Sequence, residues 1–186
     1  MSRGNVLFCL TGSIACFKAC SVISRLAQEG ASVQTVATPA ALRFVGAPTL
    51  EGLSGRPAFA DLWEEGRALD HIELARWADL AIVCPATANT INRLASGLAD
   101  DPVGTLFLAW ELRKKPWWLA PAMNGRMWEH PATRASLERL RSWGVGVVEP
   151  EAGPHACGED GPGRLAEPEA IAERILAELG RAKPGP

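Results

Sequence analysis

The run Asn5-Val-Leu-Phe-Cys-Leu10 is apolar almost throughout and stops at Thr11-Gly12-Ser13. From there apolar and polar residues recur at helical spacing through Leu26 until Glu29-Gly30 breaks the pattern, which predicts strand, turn and helix in succession. Ala31-Ser-Val-Gln-Thr-Val-Ala37 follows too soon to be anything but the next strand, with Val33, Thr35 and Ala37 on one face. A β-α-β unit this short needs a right-handed crossover and therefore a parallel sheet. Asp79-Leu-Ala-Ile-Val-Cys84 predicts a fully buried strand, and Trp117-Trp-Leu-Ala120 and Val145-Gly-Val-Val148 two more, with helical stretches between them. Ala132 to Trp143 carries Leu137 and Leu140 on one face and meets a natural stop at Gly144. Glu167-Pro168-Glu169 opens a last amphipathic helix, with acids at its N-terminus, expected to reach Leu179 before Gly180. Strands alternating with helices predict one α/β domain over residues 1–180, a parallel sheet with helices on both faces in three layers, followed by a loose tail over 181–186.

Composition narrows the partners. The 186 residues hold 19 Lys+Arg and 21 Asp+Glu, for a net charge of −2, so no basic face is expected and nucleic acid is excluded as a partner. Every apolar run is far shorter than the ~20 residues of a membrane helix, and Met1-Ser2-Arg3-Gly4 leads straight into the first strand, so neither a span nor a signal peptide is expected. The 5 cysteines are odd in number and scattered; Cys9, Cys16, Cys20 and Cys84 sit in apolar settings as small buried hydrophobes, which fits a reducing cytoplasm. The 7 tryptophans, with no accompanying basic face, are expected in the core and at subunit contacts rather than under stacked bases.

Ligands of such sheets bind beyond the carboxyl ends of the strands, so the residues following each strand carry the candidate chemistry. Thr11-Gly12-Ser13-Ile14 is a strand-to-helix turn able to hold a phosphate on free N–H groups, or simply a tight turn. It matches neither G-x-G-x-x-G nor G-x-x-x-x-G-K-[ST], which disfavours NAD and nucleoside triphosphates and leaves a mononucleotide open. Pro85-Ala-Thr-Ala-Asn-Thr90 places three hydrogen-bonding side chains where one helix cap would suffice, consistent with ligand contact or with an ordinary cap at Thr87 or Asn89. His71 opens a helix whose apolar side is Ile72, Leu74 and Trp77; there it is either a neutral base reaching a cleft or a surface residue. Cys157 lies in the Gly/Pro-rich segment from Glu149 to Ala166, expected to be a long lid or binding loop, where a thiol is reactive. His155 and Cys157 have only His71 and His130 to join them and no C-x-x-C pair, so no metal site is expected.

The ordered set His71-Ile-Glu-Leu-Ala-Arg-Trp-Ala-Asp79, Pro85-Ala-Thr-Ala-Asn-Thr90, Pro121-Ala-Met-Asn-Gly-Arg-Met-Trp128 and Ala156-Cys-Gly-Glu-Asp-Gly-Pro-Gly-Arg164 resembles the flavin-dependent cysteine decarboxylases over nearly the whole chain. Within them it is most similar to the coenzyme A branch, whose Cys-containing loop separates it from most peptide-modifying members. The resemblance implies a flavodoxin-like (Rossmann-like) fold and FMN as cofactor, held by Gly12, Ser13, Ile14, Thr38, Ala40, Thr87, Ala88, Asn89, Thr90 and Ala122. It further implies His71 as base, Asn124 holding the substrate carboxylate with Met127 and Ala156 beside it, Cys157 as proton donor, and a site shared between subunits of a homotrimer or of a dodecamer of trimers. The implied reaction takes 4′-phosphopantothenoylcysteine to 4′-phosphopantetheine. Oxidation of the cysteine to a thioaldehyde gives the electrons of the lost CO2 a sink, and the resulting enethiol is then reduced and protonated. The alternatives are oxidative decarboxylation of a peptide's C-terminal cysteine to an aminoenethiol, and a non-catalytic regulatory subunit of the same fold. Two departures from the coenzyme A branch stand out: His155 replaces its usual Leu, and the chain stops where many bacterial members continue into a synthetase domain.

Overall fold

The computed structural model describes residues 3–67, 69–154 and 160–181. Strands β1 (Asn5–Leu10), β2 (Ser32–Ala37), β3 (Leu80–Ala86), β4 (Trp117–Pro121) and β5 (Gly146–Val147) form one parallel sheet in the order β2-β1-β3-β4-β5. This is the flavodoxin-like order, in which the chain winds outward in both directions from the β1/β3 pair. Both faces of the sheet are covered, and this is why β3 shows no polar alternation: every residue from Leu80 to Ala86 is buried.

One core lies under α1 (Cys16–Gln28), α2 (Ala47–Ser54) and α8 (Pro168–Arg181), the other under α3 (Asp70–Trp77), α4 (Ala88–Ala95), α5 (Pro102–Ala109) and α7 (Pro131–Ser142). Helix α1 forms because Cys16, Ala19, Val22, Ile23 and Leu26 recur at turn spacing and all face the sheet. Burying Val22, Ile23 and Leu26 completely contributes about 1.5–3 kcal/mol each by area. The outer edge of β2 is covered by a bridge to Phe59, whose N–H and C=O pair with Thr35 and Ala37. From there the chain crosses to the opposite face to enter α3.

Several expected boundaries differ. The last helix runs through Gly180 to Arg181, because Gly180 costs little at an exposed C-terminal turn; residues 182–186 of the expected tail lie outside the described residues. The fifth strand is only Gly146–Val147, extended by the Val148 N–H to the Leu119 carbonyl. The expected long loop from Glu149 to Ala166 instead holds β6 (Glu151–Pro154) and β7 (Asp160–Arg164), paired antiparallel as a separate ribbon. Its strands carry glycine and proline with no apolar alternation, so the pairing is held by backbone bonds that leave no periodic trace in the sequence. Of the tryptophans, Trp117 and Trp118 are buried while Trp63 is 90% exposed.

Candidate functional site

At the β1/β3 switch point α1 leaves on one side of the sheet and α4 on the other, and the opening between them is a cavity of about 1070 Å³. Its floor is made by three turns that end β1, β2 and β3. Gly12 allows the first two to close: a Cβ there would lie 2.7 Å from the Ala40 Cβ. Buried Thr38 sets the second turn, its hydroxyl accepting the Ala41 N–H at 3.2 Å.

Thr11 ties the first turn to the third. Its hydroxyl donates to the Pro85 carbonyl at 2.6 Å and accepts the Thr87 N–H at 3.1 Å, with the side chain only 1% exposed. Thr87 is the N-cap of α4, accepting the Thr90 N–H at 3.3 Å, and its Oγ1 lies 3.1 Å from that of Thr90. The cap is therefore ordinary in part, but Thr90 remains buried and faces the cavity, while Asn89 is exposed at its rim. On the far wall, Asn124 begins the short helix α6 (Gly125–Glu129), its Oδ1 accepting the Arg126 N–H at 2.9 Å. The same side chain carries the Nδ2 donor, a group of the kind that suits a carboxylate.

The hairpin closes the same wall. Gly163 C=O accepts the Met123 N–H at 2.9 Å, and a Cβ on Gly163 would come within 2.5 Å of the Met123 carbonyl oxygen. Its φ of +111° also belongs to glycine.

Of the residues predicted for the site, Gly12, Ser13, Ile14, Thr38, Ala40, Thr87, Ala88, Asn89, Thr90, Ala122, Asn124 and Met127 all line this one cavity. His71 does not. It sits half-buried in the first turn of α3, on the sheet face away from α1, and is absent from the cavity's lining. Ala156, Cys157 and His155 lie outside the described residues. Sequence reasoning missed Phe17, Lys18, Arg93, Asp101, Arg164 and Leu165, which also line the cavity. Lys18 and Arg93 each stand four residues after an identified contact, Ile14 and Asn89, so helical spacing was the available signal. The four described cysteines are free thiols, and burial pushes all of them up from the usual thiol range, as expected of structural hydrophobes. Among the described residues no group of three metal-ligating side chains occurs, and no helix is long and apolar enough to cross a membrane.

A match to the family described as Flavoprotein spans residues 1–180. The chain belongs to that family. Among curated proteins this flavoprotein is 44% identical, over 183 residues and 96% of its length, to the coenzyme A biosynthesis bifunctional protein CoaBC of Bacillus subtilis (strain 168). The match covers 44% of that relative, so the chain spans a little under half of it. Among solved structures it is similar to a PPC decarboxylase variant complexed with pantothenoylaminoethenethiol, with a TM-score of 0.83 and 32% identity covering 94% of this chain and 97% of the other. It is likewise similar to the FMN-dependent cysteine decarboxylase SpaF, with a TM-score of 0.82 and 30% identity, covering 97% of this chain and 98% of the other.

The cradle fits a flavin mononucleotide. The small residues Gly12 and Ala40 bring backbone close to a ligand, the hydroxyls of Ser13, Thr87 and Thr90 suit phosphate or ring heteroatoms, and the volume leaves room for a second molecule.

Proposed function

We propose that this flavoprotein binds FMN and decarboxylates 4′-phosphopantothenoylcysteine to 4′-phosphopantetheine, a step of coenzyme A synthesis in the cytoplasm. The observation that carries it is the meeting of the Gly12–Ile14, Thr38–Ala40 and Thr87–Thr90 turns with Asn124 and Met127 around one cavity. What bound FMN supplies is a reversible two-electron store, through which the cysteinyl side chain passes to a thioaldehyde and the product returns to a saturated thiol. The protein's own residues do the rest.

Asn124 orients the substrate carboxylate through its amide, its carbonyl already engaged by the Arg126 N–H. Met127 and Ala156 bracket the substrate, and Cys157 donates the last proton, a role for which a thiol that is mostly protonated at neutral pH is suited. His71 takes the thiol proton. On this reading His71, which is absent from the lining of its own chain's cavity, reaches the site from a second copy, and the working unit is the trimer or multiple of trimers that the family resemblance implies.

The test is the product of Cys157→Ser. With phosphopantothenoylcysteine this variant is expected to release the enethiol, lighter than phosphopantetheine by two hydrogens, where the wild type releases phosphopantetheine. If the wild type itself releases the enethiol, and prefers a peptide ending in cysteine, the protein belongs to the peptide-modifying branch instead.

A further inference from the structure

Three cations and one acid line the cavity: Lys18, Arg93, Arg164 and Asp101. Arg93 and Asp101 offset each other, with Nε to Oδ2 at 3.8 Å, and Arg93 also pairs with Asp100. The other two cations come from distant parts of the chain, Lys18 from the first turn of α1 and Arg164 from the end of β7. They converge on a single carboxylate oxygen, Glu167 Oε1, which Lys18 Nζ approaches to 3.6 Å and Arg164 Nη2 reaches directly. Glu167 is absent from the cavity's lining, and the nearby Glu151 spends an oxygen on the Glu167 N–H at 3.2 Å. Lys18 and Arg164 thus belong to the cavity's lining, while the carboxylate they share lies outside it.

The absence of a side chain at Gly153 leaves room for Arg164. Gly153, paired across the ribbon with Gly161, has a φ of +154°, and a Cβ there would lie 3.2 Å from Arg164 Nη1. Gly163, one residue before Arg164, is bonded to Met123 beside the carboxylate-binding Asn124. The Lys18 and Arg164 side chains are 24% and 31% exposed, open enough to exchange a ligand and enclosed enough for charge to count.

We propose that Lys18 and Arg164 form a subsite for a phosphomonoester, the group that distinguishes the proposed substrate from a cysteine-ending peptide. This rests on the function proposed above and deepens it. A planar guanidinium offers a fork of donors to a phosphate, and an ammonium adds a point charge, a pairing suited to a terminal dianion. A peptide backbone carries no such group at the corresponding end, so the subsite sets which substrate the flavoprotein prefers.

The experiment titrates the FMN-loaded protein with phosphopantothenate and with pantothenate, which differ only in the phosphomonoester, by calorimetry. The wild type is expected to bind phosphopantothenate more tightly by about tenfold or more, the scale of one charge-assisted pair. Arg164→Gln is expected to bring that preference below about threefold, with Arg164→Lys intermediate because it keeps charge but not the fork. Equal binding of the two ligands by the wild type, or a preference that survives the Lys18→Gln, Arg164→Gln double variant, overturns the subsite. A fall in the apoprotein's affinity for FMN, with the preference intact, also overturns it and assigns the pair to the cofactor's own phosphate. A preference that disappears as expected in a protein with no decarboxylase activity leaves the subsite standing and removes the enzymatic reading alone.

Discussion

Thr11→Val removes one hydroxyl at nearly constant volume and so isolates the link between the first and third turns of the cradle. The hydroxyl's 2.6 Å bond to the Pro85 carbonyl, its 3.1 Å bond from the Thr87 N–H and a longer 3.4 Å contact with Thr87 Oγ1 are all lost, and Thr11 is too buried for water to replace it. An unsatisfied buried group costs about 1–3 kcal/mol, and Thr87 is half-buried, so solvent repairs part of its share; the total is about 2–3 kcal/mol. At roughly 2–4 °C per kcal/mol for a chain of this size, the Tm of the apoprotein falls by about 5–10 °C. Part of that strain is relieved when the Thr87–Thr90 turn relaxes away from its bound position. Binding must then restore the turn, and 1.4 kcal/mol of that cost weakens the FMN Kd by about tenfold. The assay is quenching of FMN fluorescence by apoprotein, beside Tm in both forms, with Thr11→Ser as the variant that keeps the hydroxyl and recovers both values. A Thr11→Val protein that binds FMN with the wild-type Kd refutes the coupling of the two turns, even if its Tm falls.

Gly163→Ala places a methyl against the Met123 carbonyl at a positive φ, for about 1–3 kcal/mol of strain; it is expected to raise amide exchange at Met123 and the substrate KM while leaving FMN affinity near wild type, which hydrogen exchange and titration check. Lys115 closes the C-terminus of α3, its Nζ donating to the Ala75, Arg76 and Ala78 carbonyls at 2.7, 3.0 and 2.7 Å, so Lys115→Met is expected to cost about 1.5–3 kcal/mol in denaturant unfolding. His71→Asn is expected to lower turnover by about 10²–10⁴, as loss of a general base does. Asn124→Asp keeps the α6 cap but sets a negative charge where the proposed function puts the substrate carboxylate, and is expected to be similarly inactive with FMN bound. Mixing the two inactive proteins through a dissociation and reassembly step should restore part of the activity, because an intact His71 then meets an intact Asn124 in another chain; no recovery would place both groups in one chain's site.

Much of the fold was legible because burial on both faces writes itself into composition: β1 and β3 are apolar runs followed by Thr11-Gly12 and by Thr87, and α1 repeats its apolar face every turn. Helix α5 was not, since Pro102 to Ala109 is apolar nearly all round and offers no periodicity to separate helix from strand. The β6–β7 ribbon was hidden for the opposite reason, being built from glycine, proline and backbone pairing. Within the site, the cradle residues stood out as small or hydroxylated side chains at strand ends. Lys18 and Arg164 did not, because a solvated surface cation and a cavity-lining one look alike until the ribbon brings Arg164 across to α1. The position of His71 was invisible for a topological reason: its helix lies on the face away from α1, and nothing local to His71-Ile-Glu-Leu encodes that.

The mass of what the protein makes decides between phosphopantothenoylcysteine and a peptide as its substrate. The FMN-loaded protein is offered phosphopantothenoylcysteine and a peptide ending in cysteine in one aerobic mixture, in which oxygen can reoxidise the flavin after a net oxidation, and the products are resolved by mass spectrometry. Phosphopantothenoylcysteine is expected to be converted to phosphopantetheine, lighter by one CO2 and with no net oxidation, while the peptide is left largely intact. A peptide product lighter by CO2 and two further hydrogens, with phosphopantothenoylcysteine untouched, would contradict it.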